Sequence, residues 1–115
     1  MKKNDLVYLN HILEAVCKIE KYTTGVSYDD FSKNDMMIDA VVRELEIIGE
    51  AAKNLSGDFR EKYIKFPLRE SADMRNFLIH EYFGVNSKIV WNTCKNDLPD
   101  LRAQTKSIIQ GHNLS

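Results

Sequence analysis

The sequence predicts an all-α protein: an up-and-down bundle of about four main helices plus a short one, in a single domain over residues 1–115. Three observations predict it. Apolar residues recur every three or four positions through most of the chain. Cap and breaker residues fall between the periodic stretches. No stretch of alternating apolar and polar residues reads as a half-buried strand; Phe77-Leu78-Ile79 is apolar, but its flanks are helical in pattern.

The first helix is expected over about 4–23. Leu6, Leu9, Ile12/Leu13, Val16 and Ile19 make one stripe along it, and Thr23-Thr24-Gly25 ends it. Residues 25–34 are polar and turn-like. Asn34 or Ser32 caps the next helix, with Asp35 in its first turn. That helix carries Met37/Ile38, Val41, Leu45, Ile48, Ala52 and Leu55 over five turns, and it should form an antiparallel hairpin with the first. Ser56-Gly57-Asp58 reads as a stop and a new cap for a short helix over about 58–64, broken at Phe66-Pro67. Pro67 then suits an early position of a helix over about 67–82, with Gly84 as its stop. Asn86-Ser87 starts a helix to about 96. Asp97-Leu98-Pro99 reads as a fresh cap for a last helix to about 110, and Gly111–Ser115 as a frayed tail.

Composition narrows the function classes. The chain is 43% hydrophobic and 29% charged, an ordinary globular balance. Its net charge of −1 gives no bulk attraction for nucleic acid, so an RNA site must come from local clustering. Cys17 and Cys94 form no CxxC pair and read as two free thiols in a reducing cytoplasm. The start of the chain shows no signal-like apolar region and no membrane span is expected. His80-Glu81 is not followed by a His at 84, which is Gly, so no zincin motif exists; no P-loop or dinucleotide fingerprint is present either. No metal and no cofactor are expected.

The stretch with the most chemistry is Met74-Arg75-Asn76-Phe77-Leu78-Ile79-His80-Glu81-Tyr82-Phe83. On a helix Arg75 and Tyr82 point nearly the same way, and Asn76 and His80 share a direction. Spacing alone leaves ordinary roles open: His80 as a helix-dipole partner, Arg75 in a surface ion pair with Glu70, Asp73 or Glu81, and Tyr82 half-buried in packing.

Arg75-x4-His80-x-Tyr82 resembles the RX4HXY signature of HepT-like proteins of the HEPN ribonuclease superfamily. The block Ile48–Ser56 resembles that family's second-helix ending. Val90-Trp91 with Leu98-Pro99-Asp100-Leu101 resembles its C-terminal part, so the resemblance runs from about residue 5 to 110. Members often carry Pro-Trp before the motif helix, where this chain has Pro67-Leu68.

The resemblance implies a metal-independent endoribonuclease toxin that works as a homodimer, with the motif residues of two subunits lining one cleft. His80 is then the general acid or base, Arg75 the stabiliser of the transition state, and Asn76 a supporting residue. A His with an ordinary pKa near 6.5 moves protons at neutral pH, and a guanidinium grips two phosphate oxygens. The resemblance further implies that a nucleotidyltransferase antitoxin partner attaches AMP to Tyr82, silencing the enzyme toward its tRNA or mRNA substrate. Lys65, Arg69 and Lys88 belong to basic runs that either guide an RNA backbone or form ordinary solvated faces balanced by Asp58, Glu61, Glu70 and Asp73. The competing class is a non-catalytic helical module that binds a nucleotide or substrate beside a nucleotidyltransferase; a third is a structural helical dimer.

Overall fold

The apolar stripe of the first segment winds into α1, Lys3–Thr23, in a computed structural model that describes residues 1–74 and 86–114, with side chains described as far as His112. Leu9, Ile12, Val16 and Ile19 are fully buried, and Leu6 and Leu13 pack partly buried beside them. Thr24 and Gly25 end the helix in a turn of type II pattern. Thr24 is extended, Gly25 takes φ +73°, and the Val26 N–H donates to the Thr23 carbonyl at 3.1 Å. That φ needs glycine.

The polar stretch that reads as a turn holds a one-turn helix, α2, Tyr28–Ser32. The Ser27 hydroxyl caps it by accepting from the Asp30 N–H, and Phe31 inserts into the core from it. The sequence pattern misses α2 because Tyr28 and Phe31, a single turn apart, are too short a run to show a period. Asn34 then caps α3, Asp35–Lys53, accepting from the Met37 N–H at 3.0 Å. Val41, Val42, Leu45, Ile48 and Ala52 bury that helix's inner face.

α1 and α3 form the expected antiparallel hairpin. Asp5, at the start of α1, bonds to Ser56, just past the end of α3. Asp5 is 1% exposed. Its carboxylate accepts from the Ser56 backbone N–H at 2.8 Å, the Ser56 hydroxyl at 2.6 Å and the Lys2 N–H at 3.1 Å. The same Ser56 oxygen caps α4, Gly57–Lys62, by accepting from the Phe59 N–H at 3.1 Å. One carboxylate therefore ties two helix starts and one helix end. Within the expected stop-and-cap stretch Ser56-Gly57-Asp58, it is Ser56 that caps α4, which starts one residue earlier than expected.

α5, Leu68–Asp73, follows Pro67, which is its N-cap, and packs on α3. Met74, 3% exposed, closes α5 against the core. The helix expected over 67–82 is therefore seen only in its first turns, and residues 75–85 lie outside the described residues. The chain is described again from Asn86, which caps α6, Ser87–Asn92, through its side-chain oxygen.

The expected break at Asp97-Leu98-Pro99 does not occur. α6 passes through a π-helical turn, Thr93–Asp97, directly into α7, Leu98–Leu114. Proline inside an α-helix lacks a donor and its ring crowds the carbonyl four residues back. For Pro99 that carbonyl belongs to Lys95, inside the wider π turn, which is how the rod continues instead of breaking. The tail expected to fray is likewise helical to Leu114. α7 lies along α1, with Arg102 Nε 3.0 Å from Glu20 Oε1.

All the described elements are helical and share one core, closed by Phe59 from α4 and by Val90, Cys94, Leu98 and Leu101 from the α6–α7 rod. No described helix is long and apolar enough to cross a membrane.

Candidate functional site

The four residues singled out by the motif, Arg75, Asn76, His80 and Tyr82, all lie outside the described residues. What the fold does supply is the frame around them. Met74 is anchored in the core on the entering side, and Asn86 is fixed as a helix cap on the leaving side. Beside the entry, Pro67, Ser71, Met74 and Leu101 line a small cavity together with Glu70, Asp97 and Asp100. Burial and the neighbouring Glu70 carboxylate push the Asp97 carboxyl above its usual range. Asp100 is engaged by the Gln104 amide at 2.9 Å.

The three cations proposed for RNA stand on two different parts of the fold. Lys65 lies exposed in the loop between α4 and α5, and Arg69 exposed on α5; both line one groove. Lys88 is exposed on the first turn of α6, with its ammonium 4.2 Å from the centre of the Tyr28 ring. It belongs to a separate aromatic cluster. Tyr28 and Phe31 pack on Trp91 with ring centres 5.9 and 5.1 Å away, Lys95 covers Trp91 at 4.6 Å, and the Tyr28 and Ser87 hydroxyls are 3.2 Å apart. Lys88, Lys95 and Arg102 recur every seven residues, but they do not make a uniform cationic stripe. The two lysines lie over aromatic rings, whereas Arg102 pairs with Glu20.

Sequence reasoning did not find the groove as a place. It spans Lys53 at the end of α3, Arg60 on α4, Lys65 in the loop and Arg69 on α5, so its cations come from four elements. The Arg60 guanidinium donates to the Lys53 carbonyl at 3.1 Å, which fixes it across the end of α3. Lys53, Arg60, Lys62, Lys65, Arg69 and Arg75 stand close in the sequence, but closeness in sequence does not tell which cations share a wall.

Among the described residues no group of three or more His, Cys, Asp or Glu side chains is arranged to hold a metal ion. Both cysteines are free thiols; Cys17 is exposed and Cys94 buried. Burial pushes the Cys94 thiol up to about 12.

The family model for ribonuclease HepT-like proteins matches residues 12–108. "Putative RNase TTE0752" of Caldanaerobacter subterraneus subsp. tengcongensis is 50% identical over 103 residues, covering 90% of this chain and 92% of its own length. "Probable ribonuclease HepT" of Thermococcus cleftensis is 42% identical over 108 residues, covering 94% of this chain and 98% of its own. A longer relative, "Gamma-glutamylcyclotransferase and putative RNase MJ0434" of Methanocaldococcus jannaschii, is 46% identical over 110 residues; the chain spans 50% of that protein's length. No solved structure matches the chain. The family match takes in α2 to α6 whole, most of α1 and α7, and the whole Arg75-x4-His80-x-Tyr82 motif, and on that breadth the chain belongs to the HepT-like ribonuclease family.

Proposed function

We propose that this chain is a metal-independent endoribonuclease toxin that acts as a homodimer and is silenced when a nucleotidyltransferase antitoxin attaches AMP to Tyr82. The observation that carries the reading is the family match over residues 12–108, with Arg75, His80 and Tyr82 at the motif positions inside it.

The chemistry follows from the residue types. RNA brings its own nucleophile, the 2′-hydroxyl, so no activated water is needed. His80 takes that proton or delivers one to the leaving 5′-oxygen. The attacking oxygen bonds to phosphorus as the P–O5′ bond breaks, leaving a 2′,3′-cyclic phosphate on one fragment and a 5′-hydroxyl on the other. Arg75 stays charged at every working pH and offers two parallel donors to the phosphorane oxygens. Two copies related by a two-fold axis supply both an acid and a base. A 115-residue chain buries its apolar surface incompletely, which favours pairing. AMP on Tyr82 adds phosphate charge that repels the RNA backbone and competes for Arg75. The substrate class is tRNA or mRNA.

The test is cleavage of RNA in EDTA by pure, unmodified protein. Cyclic-phosphate ends are expected, and His80→Ala and Arg75→Ala should each lose at least about 100-fold in rate with an unchanged melting temperature. Activity that survives in His80→Ala removes the assignment of that residue. Unmodified protein that binds a nucleotidyltransferase tightly but never turns over RNA is a non-catalytic partner instead. Sedimentation tests the dimer. Silencing by the cognate transferase that persists in Tyr82→Phe would remove the role of Tyr82.

A further inference from the structure

Two concavities meet at the loop between α4 and α5, sharing Ile64, Lys65 and Phe66 as a common ridge. On one side is the groove, about 730 Å³, with Lys53, Arg60, Lys65 and Arg69 in its wall and Glu70 the one carboxylate among its described lining residues. On the other side is a mainly apolar slot of about 590 Å³ between the loop and α7, with Tyr63, Ile64, Phe66 and Ile108 in its lining beside Lys62, whose ammonium lies 5.4 Å from the centre of the Tyr63 ring.

The slot has a firm back. The Tyr63 ring packs on Phe59 at 4.9 Å between centres, and Phe59 in turn meets Phe66 edge-on at 5.2 Å. Ile64 stands on the ridge 81% exposed, an apolar side chain held in water between a cationic wall and an aromatic one.

We infer that this pair of concavities is a single-stranded RNA subsite, with the groove holding the phosphate backbone and the slot a flanking base. The inference rests on the ribonuclease reading for its choice of RNA, and otherwise on charge and shape. Four cations facing one carboxylate complement a polyanion, although the whole chain carries a net charge of −1. Charge alone fits an acidic peptide equally well. The adjoining apolar slot favours RNA, because a run of acidic side chains has nothing flat and apolar to place there, whereas every nucleotide has a base. A nucleotide alternates an anionic linkage with a flat base, and aromatic rings accept any base by stacking. Such a subsite lies on α4, α5 and α7 and would select RNA by the single-stranded flank beside the cut. Loop ends and overhangs would be taken in preference to duplex.

The test is binding of the full chain to a fluorescent 2′-O-methyl RNA, which lacks the nucleophile and is not consumed, over a series of salt concentrations. Lys65→Glu with Arg69→Glu should weaken binding at least about tenfold, and should flatten the dependence of log K on log salt by about 1.4, for two phosphate contacts on a single strand. Lys21→Glu with Lys33→Glu, at the far end of the α1–α3 hairpin, is the charge-matched control and should change the slope by much less. The parent should prefer the intact oligonucleotide to an abasic one of equal length by about fivefold or more. Ile108→Trp, which fills the slot, should erase that preference, as should the exposed Ile64→Asp if the tryptophan misfolds. Unchanged affinity and slope in the Lys65 and Arg69 double variant overturns the subsite, as does polyglutamate competing as well as unlabelled RNA. The ribonuclease reading is judged separately, by cleavage of ordinary RNA in EDTA. Binding with these signatures and no cleavage leaves the subsite standing and sinks the enzyme; cleavage by variants that still bind as the parent does the reverse.

Discussion

Replacing Asp5 by Ala should lower the melting temperature by about 12 °C, an effect large for a residue so near the start of the chain. The carboxylate is 1% exposed and accepts three hydrogen bonds, two from Ser56 and one from the Lys2 N–H. Bonds to a charged acceptor are each worth about 1.5–3 kcal/mol where they are buried, and truncation lets water reach part of the half-buried Ser56. A loss of about 3 kcal/mol is therefore expected. With about 2.1 cal/mol/K of unfolding entropy per residue, 115 residues give about 0.24 kcal/mol/K, hence the 12 °C. Burial alone would push this carboxyl up. The bonds from the Ser56 hydroxyl, the Ser56 and Lys2 N–H groups and the nearby N-terminal charge outweigh it and hold the pKa below the usual carboxylate value. A depressed folded-state pKa stabilises the protein fully above the unfolded value, about 3.9, and the contribution fades as pH falls through the folded value. The gap between parent and Asp5→Asn should accordingly be widest at neutral pH and shrink below about pH 4. Ser56→Ala removes the cap of α4 as well, and its cost should add to that of Asp5→Ala less than fully, since both delete the same bond. Thermal melts by far-ultraviolet circular dichroism measure all of this. An Asp5→Ala protein melting within about 2 °C of the parent, or full additivity with Ser56→Ala, would refute the account of one carboxylate tying the three helix ends.

Three further outcomes are expected. Asp97→Asn should be slightly more stable than the parent at neutral pH. A carboxyl whose folded pKa is raised by burial and by Glu70 opposes folding when ionised, so the difference should shrink as pH falls through that raised value and vanish below the unfolded value, about 3.9; a less stable variant at neutral pH would contradict it. One thiol per native chain should react with an alkylating reagent near pH 8, that of exposed Cys17, and two after denaturation, because the Cys94 thiol is buried and held near 12; intact-mass measurement counts them. Phe59→Ala should cost about 3–5 kcal/mol, since a ring 1% exposed contacts Tyr63 and Phe66, and should also loosen the wall of the apolar slot; a urea midpoint unchanged from the parent would contradict it.

The long helices were legible because burial repeats with the helix period: α1 and α3 bury the very residues whose spacing announces them, from Leu9 to Ile19 and from Ile38 to Ala52, while Leu55, expected on the same helix, is buried just past its end. Shorter features obeyed other rules. α2 holds one buried residue, Phe31, and is fixed by a cap and a tertiary contact with Trp91, neither of which leaves a period. The expected break at Pro99 failed because local propensity charges proline for a lost hydrogen bond, whereas the fold absorbs it in the π turn over Thr93–Asp97 and keeps Leu98 and Leu101 in the core.

The site divides in the same way. Arg75, Asn76, His80 and Tyr82 are candidates on sequence alone, because four residues seven positions apart or less carry their pattern in the chain itself; they lie outside the described residues. The groove could not. Lys53 and Arg69 are sixteen positions apart and share a wall only because α4 folds back between them, held by the Ser56 cap and by Arg60 reaching the end of α3. A local motif can thus suggest a chemistry, while a groove such as this one is a property of the packing. The tie between Asp5 and Ser56 bears on that surface, because it sets where α4 begins and therefore where Arg60 stands relative to Lys53. Asp5→Ala should therefore weaken RNA binding as well as stability, even at temperatures where the chain remains folded, and a variant that melts early but binds the 2′-O-methyl RNA with the parent's affinity and salt slope would separate the two.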